Sequence, residues 1–209
     1  MGIYERKQRE KVQRRQEILH AARKVFSNKG YNTATIEEIA LEAELSPGTL
    51  YLYFKNKEEL HTFLSIEILK RLADEIQKVV TQNISVEDKI ERFCDVFIDV
   101  YDYDSNILIN LFHLQSGETL KNLSEEVLKQ IKTYSIMAHG AIVDVVKQGI
   151  NQGIFIEEHP AALADILWAS YGGIVLWVDS KRLLNDEKDF VKPTLKTAFQ
   201  IISNGMKKK

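Results

Sequence analysis

The segment TIEEIALEAELSPGTLYLYF, residues 35–54, contains the start signals of two short helices separated by a tight turn. Thr35 and Glu38 form a capping-box pattern, in which a hydroxyl and a carboxylate accept hydrogen bonds from free backbone N–H groups. Ser46 followed by Pro47 is the typical N-cap and first residue of a second helix. The pattern predicts one helix from residue 36 to about 43 and another from 47 to about 53.

Helical patterns also flank this segment. Apolar residues at helical spacing begin at Val12 and end at Phe26, before a capping Gly30, and Asn56 begins a long helix that ends near Val79. Further helices are predicted at about 86–103, 106–116, 119–150, 160–182 and 188–204. With only 3 prolines and 10 glycines, the chain lacks the turn residues that many short strands need, so we expect an all-α fold.

Charge is distributed unevenly along the chain. The net charge is −2, but residues 1–57 hold 11 Lys/Arg and 7 Asp/Glu, a balance of +4, which leaves −6 for the rest. A basic end on an acidic body is typical of a protein that binds a polyanion, although a solvated, charged helix face has the same composition. Composition alone leaves both interpretations open.

Targeting signals are not evident in the sequence. The first 16 residues lack the apolar segment of a secretory signal, and the longest uncharged apolar stretch, Ile166 to Val178, is shorter than a membrane span. The single cysteine, Cys94, cannot form an internal disulfide. We therefore expect a cytoplasmic protein that makes no contact with a membrane.

The two short helices behind a longer basic helix form a helix-turn-helix pattern, which favours DNA binding. The second helix begins with Pro47, Gly48 and Thr49, whose small side chains allow a close approach to a groove. Leu50 and Phe54 share an inward face at spacing i, i+4, which leaves Tyr51 outside. The tyrosines could instead pack a small three-helix core.

The segment from Ile18 to Leu60 resembles the DNA-binding domain of the TetR/AcrR family of bacterial transcriptional regulators. The resemblance rests on matched positions throughout the segment, which are Ile18, Leu19, Ala21, Ala22, Phe26, Gly30, Tyr31, Thr35, Ile39, Ala40, Ser46, Gly48, Thr49, Leu50, Tyr51, Tyr53, Phe54, Lys57, Glu58 and Leu60. Glu44-Leu45 departs from the Gly-Val turn usual there. The DNA contacts that the resemblance implies are Thr35, Ser46, Pro47, Gly48, Thr49, Tyr51, Tyr53 and Lys57.

The resemblance also implies an architecture and partners. Residues 12–72 would form the DNA-binding domain, with the helix-turn-helix at about 35–54, and residues 73–209 a helical effector-binding and dimerisation domain. A homodimer would bind a near-palindromic double-stranded DNA operator, associate with the nucleoid when bound, and act as a repressor that a small hydrophobic molecule releases. The basic arm, Arg6 to Arg15, precedes the matched segment, and its charge suits either added phosphate contacts or a solvated arm.

The helix predicted at about 160–182 has a broad apolar stripe that suits a helix–helix dimer interface. A monomer's buried core helix would have the same stripe. The candidate interface residues are Leu163, Ile166, Ser170, Ile174 and Trp177.

Large aromatic side chains with a few polar groups, at apolar positions of the middle helices, suit a pocket for a small hydrophobic molecule. Plain core packing is the alternative for each of them. The candidate lining residues are Phe93, Phe97, Tyr101, Phe112, His113, Tyr134, Met137, Trp168 and Tyr171.

An enzyme is not indicated. The sequence has no nucleophile elbow, no zinc-protease motif, no phosphate-binding glycine loop and no Cys/His pattern for a metal, and we assign no catalytic residue, metal or cofactor. A helical adaptor whose basic arm contacts acidic protein or a membrane is the competing interpretation, and it would show no DNA site preference. The effector, the operator sequence, the regulated genes, the sign of regulation and the number of dimers per operator are not encoded in a recognisable motif.

Overall fold

The chain folds as an all-α protein in the computed structural model, which describes residues 2–116, 123–185 and 190–208. Within these ranges the extended structure is a single isolated antiparallel bridge between Phe155 and Lys207. The predicted fold class is confirmed.

The helices in chain order are α1 (Ile3–Lys29), α2 (Ile36–Glu42), α3 (Pro47–Tyr51), α4 (Lys57–Val80), α5 (Val86–Tyr103), α6 (Ser105–Ser116), α7 (Glu125–Asn151), α8 (Pro160–Asn185) and α9 (Val191–Met206). The predicted helix starts at 119 and 188 lie outside the described residues. The largest difference from the sequence-based prediction is α1, which begins nine residues before Val12. Its first turns consist of polar residues with good helix propensity and include an i, i+4 pair between Arg6 and Glu10, so the helix continues beyond its apolar stripe.

The chain forms two compact units, Met1–Ser65 and Ile66–Lys209. The division falls within α4, as does the boundary between residues 72 and 73 proposed from the sequence.

The first unit is a three-helix arrangement closed by the start of α4. Its fully buried side chains include Ile18, Ile39, Leu50, Leu60 and Leu64. These residues come from all four helices, so the apolar stripes that the spacing predicts meet in one core.

The turn between α2 and α3 has a left-handed residue that is not glycine. Glu44 has φ 55°, the Leu45 N–H donates to Ala40 O at 2.8 Å, and the Glu44 N–H donates to Leu41 O at 3.0 Å. These two bonds are those of a Schellman motif, whose left-handed position is usually glycine. The turn therefore keeps its shape with glutamate, at a conformational cost of about 1–2 kcal/mol.

The second unit comprises the rest of α4 and helices α5 to α9. Helix α8 packs against α7 and α9, and α5 packs against α9. Close contact is visible at the end of α7, where a Cβ on Gly149 would come within 2.2 Å of the buried Phe155 ring. A second close approach joins α6 and α8, because a Cβ on Gly172 would lie 3.2 Å from the Phe112 ring.

Candidate nucleic-acid interface

Thr35 stands at the N-terminus of α2, where the predicted capping box is present. Its hydroxyl accepts a hydrogen bond from Glu38 N at 3.2 Å, and the Glu38 carboxylate accepts one from Thr35 N at 3.1 Å. Lys29 also donates to this carboxylate, and these bonds lower the pKa of Glu38. The Thr35 side chain remains exposed, with its hydroxyl proton free to donate to an external oxygen.

The start of α3 is built from local hydrogen bonds. Ser46 Oγ accepts from Thr49 N at 3.1 Å and lies 2.9 Å from the Thr49 hydroxyl. Ser46, Pro47 and Gly48 are exposed, and Thr49 is half-buried. This end of the helix presents small side chains to solvent, as the sequence predicts.

Gly48 has no structural need for its missing side chain. A Cβ added there would meet only Ser46 Oγ, at 3.9 Å, and its φ lies outside the left-handed region. Since glycine within a helix costs about 1 kcal/mol relative to alanine, the fold alone would favour a larger residue. The open space above Gly48 is consistent with a partner that approaches the backbone of α3.

The outer face of α3 contains two large side chains. Leu50 and Phe54 are buried, whereas Tyr51 is 51% exposed and Leu52 is 78% exposed. The position of Leu50 and Phe54 agrees with the predicted inward face. The exposure of Leu52 could not be predicted from the sequence, because an isolated leucine next to a helix end has no pattern that indicates it.

Tyr53 is held at the end of α3 by a residue from α1. The Arg15 guanidinium donates to Tyr53 O at 3.0 Å and lies 4.4 Å from the Phe54 ring centroid and 4.3 Å from that of Phe63. Arg15 belongs to the basic arm that the sequence predicts to remain solvated or to contact phosphate. Its guanidinium is instead engaged within the unit and fixes the end of α3 against α1.

Lys57 begins α4 and binds the loop before α2. Its Nζ donates to Tyr31 O at 2.8 Å, to Asn32 O at 3.4 Å and to Ala34 O at 3.0 Å, and lies 4.5 Å from the Tyr31 ring centroid. The phosphate contact expected from the sequence remains a prediction. These intramolecular bonds engage the three N–H donors of the ammonium and give Lys57 a structural role that the sequence did not indicate.

Tyr31 and His61 stack beside Lys57, with ring centroids 4.3 Å apart. Burial, reinforced by the Lys57 ammonium, lowers the pKa of His61 to about 4. Burial also raises the pKa of Tyr31 to about 12, with a contribution from Glu58, which accepts a hydrogen bond from its hydroxyl at 3.2 Å. Both rings are therefore neutral at pH 7.

In the second unit, four of the proposed pocket residues come together in a cluster of rings. Phe97 and Tyr171 stack with centroids 4.1 Å apart, and the Tyr171 hydroxyl donates to Phe97 O at 2.9 Å. Phe112 packs edge-on against Tyr171, and Trp168 and Phe199 pack edge-on against Phe97. No molecule fits between rings in this contact, so a ligand here would have to separate them.

The other proposed pocket residues lie on three helices, α5, α6 and α7. Phe93 and Tyr101 are buried on α5, Tyr134 and Met137 are half-buried on α7, and His113 is exposed on α6. The pocket assignment therefore remains a prediction.

The proposed dimer-interface residues occupy different sides of α8. Leu163 is buried within its own chain, whereas Ile166 is 49% exposed and Trp177 is 63% exposed. Ser170 and Ile174 are half-buried between them. The outer face of α8 is thus an apolar surface on a helix whose inner face is buried.

Helix α8 is also long and apolar enough, over Pro160–Arg182, to cross a membrane by length and composition alone. The uncharged stretch from Ile166 to Val178 is shorter than a span, but the helix continues beyond Asp165 and Asp179, which flank it. The shortness of that stretch therefore does not exclude a membrane span. A core helix of a soluble protein meets the same criterion, so this is weak evidence for a membrane segment. Among the described residues, no three His, Cys, Asp or Glu side chains are grouped as metal ligands would be.

Comparison with known proteins places these features in context. Residues 18–61 match the family described as "Bacterial regulatory proteins, tetR family". The chain is 22% identical over 194 residues to the fatty acid metabolism regulator protein of Bacillus subtilis (strain 168), covering 92% of this chain and 95% of that protein.

Solved structures have the same fold. The TetR family transcriptional regulator PfmR from Thermus thermophilus superposes with a TM-score of 0.71 at 20% identity, covering 91% of this chain and 99% of that one. The regulator FadR from Bacillus subtilis, solved in complex with stearoyl-CoA, superposes with a TM-score of 0.66 at 20% identity, covering 91% and 98%. The helical architecture is therefore that of these regulators.

Proposed function

We propose that the chain, a member of the TetR/AcrR family of bacterial transcriptional regulators, is a repressor that binds a near-palindromic operator as a homodimer. It is a sequence-specific DNA-binding transcriptional regulator. The relatives it resembles are DNA-binding regulators rather than enzymes.

The exposed face of α3 is the observation on which the DNA-binding assignment rests. Ser46, Pro47 and Gly48 leave the first turn accessible, and Tyr51 projects from the same helix while Leu50 anchors it. An α-helix presented in this way fits the major groove of B-DNA. Thr35 and Tyr53 would contact the phosphates beside the groove through the hydroxyl groups of their side chains.

The apolar outer face of α8 supports a homodimer. Ile166 and Trp177 on α8 and Ile201 on α9, which is 66% exposed, are large apolar side chains without cover in a single chain. Pairing α8 and α9 with the same helices of a second copy would bury them in a four-helix arrangement. The two copies of α3 would then meet successive major grooves, about 34–36 Å apart.

The releasing ligand is proposed to have a long acyl chain. Relatives over most of the chain include a fatty acid metabolism regulator and a regulator solved with stearoyl-CoA. The second unit has a strongly apolar interior, in which α6 buries Leu108, Leu111 and Phe112. A ligand lowers DNA affinity only if it binds one arrangement of the dimer more tightly than the other.

DNA binding is tested by selecting bound fragments from genomic DNA and measuring affinity by fluorescence anisotropy. Tyr51→Ala should weaken operator binding by about tenfold to a hundredfold, since specific contacts are worth roughly 1–3 kcal/mol, with an unchanged unfolding midpoint. Tyr103→Ala, a comparably exposed tyrosine in the second unit, is the matched control. If Tyr51→Ala unfolds the protein while affinity per folded molecule is unchanged, Tyr51 is a core residue.

The ligand is tested with stearoyl-CoA, using coenzyme A alone as the control. Stearoyl-CoA should release the operator at micromolar concentration, and coenzyme A should not. Release by both would assign recognition to the nucleotide, and release by neither would contradict an acyl ligand.

A further inference from the structure

The first three turns of α1 form an exposed helix with no core of its own. Every described side chain from Tyr4 to Arg14 is exposed, and the first fully buried residue of the helix is Ile18. At 1.5 Å per residue, this part of α1 extends roughly 20 Å beyond the buried core. This part of α1 therefore adds nothing to the core of the first unit.

Three of its basic residues lie on one face. Lys7, Lys11 and Arg14 follow the spacing i, i+4, i+7, which places them within about 60° of one another around the helix axis. Arg9 lies on nearly the opposite side. These three residues, Lys7, Lys11 and Arg14, are called the α1 basic stripe below.

The α1 basic stripe faces the residues at the C-terminal end of α3. A groove of about 480 Å³ is lined by Lys7, Glu10, Lys11 and Arg14 on one side and by Leu52 and Tyr53 on the other. The stripe therefore lies beside the two residues that directly follow α3, the helix proposed to enter the major groove.

The ion pairs of α1 leave part of this charge uncompensated. Arg6 pairs with Glu10 at 3.3 Å, which occupies the one carboxylate in the groove, and Arg14 pairs with Glu17 at 2.6 Å. Across the part of the chain that the structure describes, Lys7 and Lys11 have no ion-pair partner. Two lysine ammonium groups thus remain available to an anion beside Leu52.

We propose that the α1 basic stripe binds the sugar–phosphate backbone of the DNA strand that borders the major groove occupied by α3. The occupant follows from position and charge, because a helix in the major groove has a phosphate strand beside it, and lysine binds phosphate as a point charge. This inference rests on the proposed function and assigns the phosphate contacts to Lys7 and Lys11, with Arg14 as a paired third cation.

The test is the salt dependence of operator affinity for the full-length protein. The double variant Lys7→Ala/Lys11→Ala should lower the slope of log K against log salt by about 2 per half-site, because each phosphate contact contributes about 0.9. Arg9→Ala, which removes an exposed charge from the opposite face, should leave the slope unchanged. Thermal unfolding followed by circular dichroism should be the same for all three proteins, since these side chains touch no core.

A second measurement locates the contacts. Operators with single neutral methylphosphonate linkages should lose affinity for the wild type at positions beside the half-site, and the double variant should be insensitive at those positions. Equal slopes for the double variant and Arg9→Ala, or an unchanged methylphosphonate pattern, would overturn the inference. A wild type with no sequence-specific DNA binding would instead contradict the proposed function itself.

Discussion

The Lys57 ammonium lies 3.0 Å from the carbonyl oxygen of Ala34, the residue immediately before the N-cap of α2. Lys57 thereby connects the first residue of α4 to the loop that positions Thr35. This bond joins the start of α4 to the start of α2 across 23 residues of sequence.

Lys57→Ala should therefore destabilise the protein as well as weaken DNA binding. Removing the ammonium leaves the Tyr31 and Ala34 carbonyls without this donor, at an expected cost of about 1–3 kcal/mol in the free energy of unfolding. Urea unfolding measures this cost. Lys55→Ala, an exposed neighbour, is the control. A loss of affinity with no loss of stability would assign Lys57 to phosphate alone.

Gly48→Ala should separate folding from function. Alanine fits the space above α3 and has the better helix propensity, so stability should be unchanged or higher by up to about 1 kcal/mol. Operator affinity should fall by at least tenfold, because the added methyl group would stand between α3 and the groove.

The control for Gly48→Ala is Gly140→Ala. Gly140 is another helical glycine with no neighbouring atom within 4 Å of an added Cβ, but it lies on α7 in the second unit. It should gain stability in the same way and keep full affinity. If both variants retain affinity, the backbone of α3 does not approach DNA closely at residue 48.

Glu44→Gly should stabilise the first unit. Glu44 has φ 55°, a conformation that glycine adopts without steric cost, so the free energy of unfolding should rise by roughly 0.5–1 kcal/mol after the greater flexibility of unfolded glycine is deducted. Differential scanning calorimetry would detect this as a higher unfolding temperature. A lower temperature would mean that the glutamate side chain stabilises the turn by more than its conformation costs.

His61 should make stability depend on pH. Its folded pKa of about 4 lies below the unfolded value near 6.5, so between these values the unfolded chain binds a proton that the folded chain does not. The contribution of His61 to the free energy of unfolding is therefore largest above about pH 6.5 and decreases as the pH falls towards 4. With solvent screening, the loss between pH 7 and pH 5 should be roughly 1 kcal/mol.

The measurement is urea unfolding of the wild type and His61→Phe at pH 7 and pH 5. Phenylalanine retains a ring to stack on Tyr31 but does not titrate. The variant should lose less stability on acidification, and an identical loss in both proteins would contradict a neutral, buried His61.

Trp177→Asp should dissociate the proposed homodimer. A charge on the apolar outer face of α8 would be desolvated in the proposed interface, so the dissociation constant should rise by at least a hundredfold. Sedimentation equilibrium measures it. Ile136→Asp, a comparably exposed apolar side chain on α7, should leave the dimer intact. Dissociation by Ile136→Asp but not by Trp177→Asp would move the interface to α7.

The sequence by itself was enough to predict the all-α class and the helix-turn-helix. Thr35 with Glu38 and Ser46 with Thr49 are bonded partners three residues apart, so their pattern is complete in the sequence and depends on no distant contact. The inward direction of Leu50 follows from the same short-range geometry.

Only the tertiary structure decided what the longer-range residues do. Arg15 binds Tyr53 O across 38 residues, Lys57 binds Ala34 O across 23, and Tyr171 binds Phe97 O across 74. Which side-chain donor binds which carbonyl oxygen depends on how the helices cross, and helical periodicity does not determine the crossing. For the same reason, the apolar stripe of α8 could not be divided in advance into a face that its own chain buries and a face, with Trp177, that remains exposed.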